Sequence, residues 1–460
     1  MRRKLFTSFV LLFCHIAPLF AESQVVTYPA PNSEKMQTGY KVFANGKPVD
    51  IYKALSQEFT GGEYYFCYFD FEGPVEVKVV SAHQFKEKPE LYPAREFSQD
   101  GNSIVFKADK PFTTCLFRKQ RESPLIIFGN PIEKDIPNKD DPNVVYFGPG
   151  IHVPEKPIEL KSNQTLYLAG GAYVKGRLNA SGDNITVRGR GILTGELSER
   201  FSSFFVNFDR CNNLTIKDII LKDTMTWTLI LRDCDKVNID NIKICCSRML
   251  NDDGIDICNS SNVTIRNSFV RAQDDIIAIK GMRGKKACEN ILVEDSILWT
   301  DVANTFRIGY ECEAEAMRNI VCRNCDIPFY SINYRDPTDY WSNTIIWLQP
   351  ANEMPIHDVH FENLRIRSDG SDIIVLSANP RVTSYKGSKT AGTLRDCTIK
   401  NLSVDGKKGK FKGILYFKGF DEKHDVKNIT LENITYFGEK IKADSPCVQI
   451  GEFTSGITIK

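Results

Sequence analysis

The sequence predicts an all-β chain: a long parallel β-helix preceded by a small antiparallel β-sandwich. Three observations carry that reading. One phrase, a polar residue followed by alternating apolar and polar positions, recurs from Asn184 to the C-terminus. It reads Asn184-Ile185-Thr186-Val187, Asn213-Leu214-Thr215-Ile216, Lys236-Val237-Asn238-Ile239, Asn262-Val263-Thr264-Ile265, Asn290-Ile291-Leu292-Val293 and Asn319-Ile320-Val321-Cys322. It returns as Asp358-Val359-His360-Phe361, Asp396-Cys397-Thr398-Ile399, Asn428-Ile429-Thr430-Leu431 and Gly456-Ile457-Thr458-Ile459. Second, apolar spacing within each phrase is two, which fits strands and not helices. Third, successive phrases are offset by 29, 23, 26, 28, 29, 39, 38, 32 and 28 residues, the period of a solenoid. In such a coil the inward Ile and Val columns form the core.

The elements follow in order. Met1-Arg2-Arg3-Lys4 and an apolar run from Leu5 to Phe20, ending at Ala21, read as a signal peptide too short to span a membrane. Export is therefore expected, periplasmic or secreted. Loss of residues 1–21 would remove three basic side chains and change the formal charge from +1 to −2. Neither a basic field for nucleic acid nor a membrane-inserted segment is expected, and a monomer is. Residues 22–133 form the sandwich, with short strands over Tyr64–Phe71, Val75–Val80, Ser103–Lys107 and Cys115–Lys119, and its simplest role is to cap the helix. Residues 134–460 form the helix, entered through a polar linker from Glu133 to Asn143. The two longest repeats, before Val359 and Cys397, must carry extra loops, which commonly wall a groove. Most of the thirteen cysteines left after the leader lie within strand patterns and read as small buried residues.

The chemistry concentrates in two echoing stretches, Asn251-Asp252-Asp253-Gly254-Ile255-Asp256-Ile257 and Gln273-Asp274-Asp275-Ile276-Ile277-Ala278-Ile279. A shift of 22 residues superposes them, so adjacent coils would bring their carboxylates about one strand spacing, about 4.8 Å, apart. Like charges that close raise at least one pKa and share their protons. A donor beside an acceptor is what glycosidic cleavage requires. Lining up the apolar residues of successive coils gives an outward column Ile230, Asp256, Ala278, Arg307, Trp347 and another Arg232, Cys258, Lys280, Gly309, Gln349. Trp227, Asp253, Asp275, Asn304 and Thr344 stack at the strand entrances. Acids, amides and indoles on one face suit a sugar chain. Asp253, Asp274 and Asp275 are the catalytic candidates; Trp227, Asn251, Asp256, Lys280, Asn304, Arg307, Tyr310, Trp347 and Gln349 are the binding candidates. Asp252 alone reads as a residue that solvates a turn.

These motifs resemble the polygalacturonase and rhamnogalacturonase family of pectin-cleaving hydrolases. The resemblance covers residues 144–460, is densest from Thr226 to Lys280, and implies a right-handed β-helix. The family pattern is Asn-Thr-Asp followed one coil later by Asp-Asp; Asn251-Asp252-Asp253 and Asp274-Asp275 match, with Asp252 replacing Thr. By resemblance, Asp274 is the general acid, Asp253 and Asp275 hold and deprotonate water, and the anomeric centre inverts. No cofactor or metal is implied. This chain departs from the family at Arg307-Ile308-Gly309, where a Gly-His-Gly stands, and at Ile346-Trp347-Leu348-Gln349, where an Arg-Ile-Lys holds a uronate. An indole and an amide suit a neutral sugar, and the sandwich-then-helix layout is similar to the dextranase and isopullulanase family. If the substrate is galacturonan, Lys280, Arg307 or Arg335 must supply the counter-charge. Two rival readings stand beside hydrolysis: a calcium-dependent lyase, and an idle polysaccharide-binding solenoid.

Overall fold

The structure, a computed structural model, describes residues 23–36, 39–57, 61–85, 87–118, 124–330 and 344–460. The leader and Arg335 lie outside the described residues. From Val144 onward the chain winds as a parallel β-helix of 31 strands in which each strand pairs mainly with the third one further on. Three strand stacks result. The site stack includes Leu229–Arg232, Ile255–Cys258, Ile277–Gly281, Phe306–Cys312 and Thr344–Gln349. The ladder stack carries the recurring phrase, as in Ser261–Arg266 and Cys288–Glu294. The back stack includes Lys243–Cys245, Phe269–Ala272 and Ile297–Thr300. Inward residues such as Leu229, Ile257, Ile265, Ile279 and Ile308 fill one continuous core.

The polar residue that opens each phrase has a backbone reason. Asn184, Asn213, Asn262, Asn290, Asn319 and Asn428 have φ between 52° and 58°, the left-handed region that asparagine tolerates better than most residues. Their amides then bond up the stack: Asn213 donates to Asn184 at 2.8 Å, Asn290 to Asn262 at 2.9 Å and Asn319 to Asn290 at 2.6 Å. A second ladder, unread in the sequence, turns the next corner through Asp218, Asn241, Asn363, Asn401 and Asn433. All thirteen cysteines of the described residues are unpaired, and all but Cys447 are buried.

The N-terminal strands form two sheets around their own apolar core. One pairing departs from the expected antiparallel pattern: Leu125–Pro131 runs parallel to Glu63–Glu72. Between them the chain crosses to the other sheet, through Val75–Ser81 and Ser103–Ala108, and so returns in the same direction. The expected role as a cap is corrected too. The strand Glu63–Glu72 turns Cys67, Phe69 and Phe71 into the sandwich and Tyr64, Phe66 and Tyr68 onto the back stack. The sandwich therefore lies along the side of the rod, with Phe128 against Phe269 at 5.4 Å and Phe117 against Trp299 at 5.6 Å between ring centres. At one edge the contact turns polar, where buried Arg190 pairs with Asp70 and Asp218, each at 2.8 Å.

Candidate active site

The register places the acidic stretches on consecutive coils, with Ile255 beside Ile277 and Ile257 beside Ile279. Close approach is enforced by Gly254: its amide donates to the Asp275 carbonyl at 2.8 Å, and a Cβ there would meet the Ile276 carbonyl and Val270 at 2.6 Å. Asp253 thus stands next to Asp275 in the stack. The expected outward column Ile230, Asp256, Ala278, Arg307, Trp347 matches the strand pairing. The second column holds from Arg232 through Cys258 to Lys280, then breaks. An irregularity after Ile279 pairs Gly281 with Cys312, so Lys280 and Gly309 are not paired, while Gly309 pairs with Gln349 as expected.

Asp252 is not a solvated corner. It is wholly buried and accepts backbone N–H groups from Ser247 at 2.8 Å, Met249 at 3.3 Å and, across to the next coil, Gln273 at 2.6 Å. It therefore fastens the approach turn of one acidic stretch to that of the other. Ser247 also bonds Asp301, whose carboxylate is held by buried Arg271 at 2.9 Å. Tyr64, from the sandwich, reaches the same turn through the Cys246 carbonyl at 2.7 Å.

Asp274 is half-buried, whereas Asp253 and Asp275 are buried, at 3% and 8% exposure. Substitution of buried Asp253 therefore bears on stability as well as on chemistry, unlike a change at an exposed strand corner. Burial, then repulsion by Asp253 and Asp275, pushes the Asp274 carboxyl well above the usual carboxylate range. Burial raises Asp275 to about 6, with Arg307 pulling against it. Asp275 accepts the Asn304 amide N–H at 3.0 Å.

Several binding candidates hold one another instead of facing solvent. Lys280 is 3% exposed; its ammonium lies 2.7 Å from both Asp253 and Asp256 and 3.5 Å over the centre of the Trp227 ring. Asp256 is fully buried. Neither can meet a sugar without rearrangement. Arg307 donates to the side-chain oxygens of Asn304 at 2.7 Å and of buried Gln349 at 2.8 Å, and stacks over Trp347 at 4.1 Å and Tyr310 at 5.0 Å. Trp227 and Tyr310 keep partial exposure, and Asn251 is exposed with φ 65°. The loop before Cys397 closes over this end, with Thr383 donating to the Tyr310 carbonyl at 3.2 Å and Lys386 paired to Glu313 at 2.9 Å.

The sequence reading missed the segment before Val206. Phe204 lies 6.1 Å from Trp227, Arg232 stacks over Phe204 at 3.9 Å, and Arg200 reaches Asn251 at 3.4 Å. Exposed aromatics at Phe201 and Phe204, between two strands, were the available clue. A cavity of about 890 Å³ lies elsewhere, between the sandwich and the second ladder, and includes none of the three acids.

Residues 158–298 match the model of Glycosyl hydrolases family 28. A polygalacturonase of Malus domestica is 33% identical over 75 residues, 16% of each chain, so the chain spans about a sixth of that curated relative's length. Among solved structures, Dex49A from Penicillium minioluteum superposes with a TM-score of 0.73 at 14% identity, covering 94% of this chain and 96% of that one. An exopolygalacturonase from Thermotoga maritima gives 0.52 at 19% identity, covering 69% and 83%. The likeness to both shows the fold, a right-handed parallel β-helix, and the resemblance to polygalacturonase-type glycoside hydrolases is borne out.

Proposed function

We propose that the chain is an exported glycoside hydrolase that cleaves a polysaccharide with inversion, using Asp274 as acid and Asp253 with Asp275 as the pair that holds and deprotonates water. The observation that carries this is the stacking of the three carboxyls on two consecutive coils, with Asp274 and Asp275 raised and Asp253 salt-bridged to Lys280. An acid kept protonated beside a charge-neutralised carboxylate is the division of labour that inverting hydrolysis needs. The family match over residues 158–298 makes a pectin-type polymer the first substrate to test. A neutral α-glucan is the second, because Lys280 is paired with two acids and Arg307 with two amides, leaving neither charge aimed at a uronate. The sandwich, residues 22–133, is proposed as a buttress for the catalytic unit, residues 134–460.

The test is a screen of pectic and α-glucan polymers with proton NMR of the first product anomer. Inverted product is expected from one class, and Asp274→Asn is expected to lose about 10²–10⁴-fold in turnover while keeping its fold. Unsaturated, ultraviolet-absorbing products or retained configuration would reject this mechanism.

A further inference from the structure

Arg232 closes the strand Leu229–Arg232 on the outward face of the site stack, one coil before Cys258 and two before Lys280. Unlike Lys280 and Arg307, its guanidinium makes no hydrogen bond or ion pair among the described residues. The acid beside it in the register, Asp209, is already held by Arg283 at 2.5 Å and Arg210 at 2.9 Å, and Asp233 is engaged by Arg283 at 3.4 Å. Arg232 is half-buried, and that burial, with Arg283 nearby, makes its charge harder to keep. A half-buried cation without a counter-ion is costly. Its flat face rests 3.9 Å from the centre of the Phe204 ring, a stacking that fixes the plane and leaves the edge donors free for a two-pronged acceptor.

The surroundings suit a sugar chain. Phe204 is 37% exposed and continues to half-exposed Trp227, whose other neighbour is the Lys280 ammonium paired with Asp253. A shelf of two rings thus leads from the acid cluster to Arg232. Beside it, Phe201 is 60% exposed with φ 58°, a conformation that a bulky side chain rarely adopts without another constraint.

We propose that Arg232, with Phe204, forms a charge-reading subsite for an anionic substituent of the bound glycan, a carboxylate or a sulfate ester, set off from the point of cleavage by the aromatic shelf. The occupant, a glycan, rests on the hydrolase reading above; the anion requirement does not. The experiment measures binding to the full chain carrying Asp274→Asn, which is silenced for turnover, with and without Arg232→Gln or Arg232→Lys. The probes are an oligogalacturonate, its carboxyl-reduced counterpart and a sulfated oligosaccharide of the same length. At least one anionic probe should bind about 10-fold or more tightly than the neutral one, and Arg232→Gln should remove that margin with little effect on the neutral probe. Arg232→Lys should recover only part of it. The carboxylate and sulfate arms identify which anion is read. Equal binding of charged and neutral probes, a margin that survives Arg232→Gln, or no binding at all would overturn the proposal. Anion-dependent binding without hydrolysis by the unsilenced chain would sink the hydrolase reading and leave this one standing.

Discussion

At the scale of single residues, the acid cluster makes stability depend on pH in an unusual direction. The Asp275 carboxyl is raised to about 6 from its ordinary 3.8. Between those values the native state keeps a proton that the unfolded chain has released. Its contribution therefore favours folding at the acid end and is lost as pH rises through the window from about 4 to about 6. Because the group is coupled to Asp253 and Asp274, the change is spread over the cluster. In urea titrations from pH 4 to pH 7, the wild-type chain should lose about 2–3 kcal/mol more than Asp275→Asn does. Parallel pH profiles would refute the assignment. Asp252 shows where sequence stops at this scale. Its type and place were legible, but a carboxylate that accepts three buried N–H groups and one that solvates a turn look the same in a string of letters.

At the scale of elements, the ladders explain why one phrase could be read ten times over. Each opening asparagine satisfies a left-handed corner and a bond to the coil below, so the residue type repeats with the coil. Asn290→Ala should cost about 1–2 kcal/mol, since alanine tolerates φ 57° less well than asparagine and the change removes both amide bonds. Asn290→Gly should cost less, because glycine keeps the turn. Chemical denaturation of the pair separates the two contributions; equal losses would show that the conformation matters little. The outward columns were legible for the same reason, strict alternation along each strand. The column fails between Lys280 and Gly309 because an irregularity after Ile279 shifts the pairing, and nothing in the apolar spacing announces two extra residues.

At the scale of the molecule, the sandwich and the helix share a large aromatic contact and one buried ion cluster. Asp70 is fully buried and holds Arg190 through Nε at 2.8 Å, while the Tyr28 hydroxyl donates to Asp70 at 2.9 Å. Asp70→Ala leaves buried Arg190 with Asp218 as its remaining ion-pair partner and should destabilise the chain by about 3–5 kcal/mol. Thermal or urea unfolding would read this, and a loss under 1 kcal/mol would mean that water reaches the interface freely. The sandwich also grips the turn behind the acids, through Tyr64 on the Cys246 carbonyl and Arg271 stacked between Tyr64 and Trp299 at 4.1 and 3.9 Å. A cap on the end of the rod could not do this.

By itself the sequence determined the coil. Alternation of apolar residues and a polar residue at each corner act within a few positions of one another, and their recurrence fixes a solenoid and the order of residues up its outer face. Which cations stay available to a ligand was decided only by the tertiary structure. Lys280 is spent on two acids of the preceding coil and Arg307 on Asn304 and on Gln349 of the next coil, whereas Arg232 makes no hydrogen bond or ion pair among the described residues. Pairing of charges across coils depends on side-chain reach and burial in three dimensions, which local spacing does not encode.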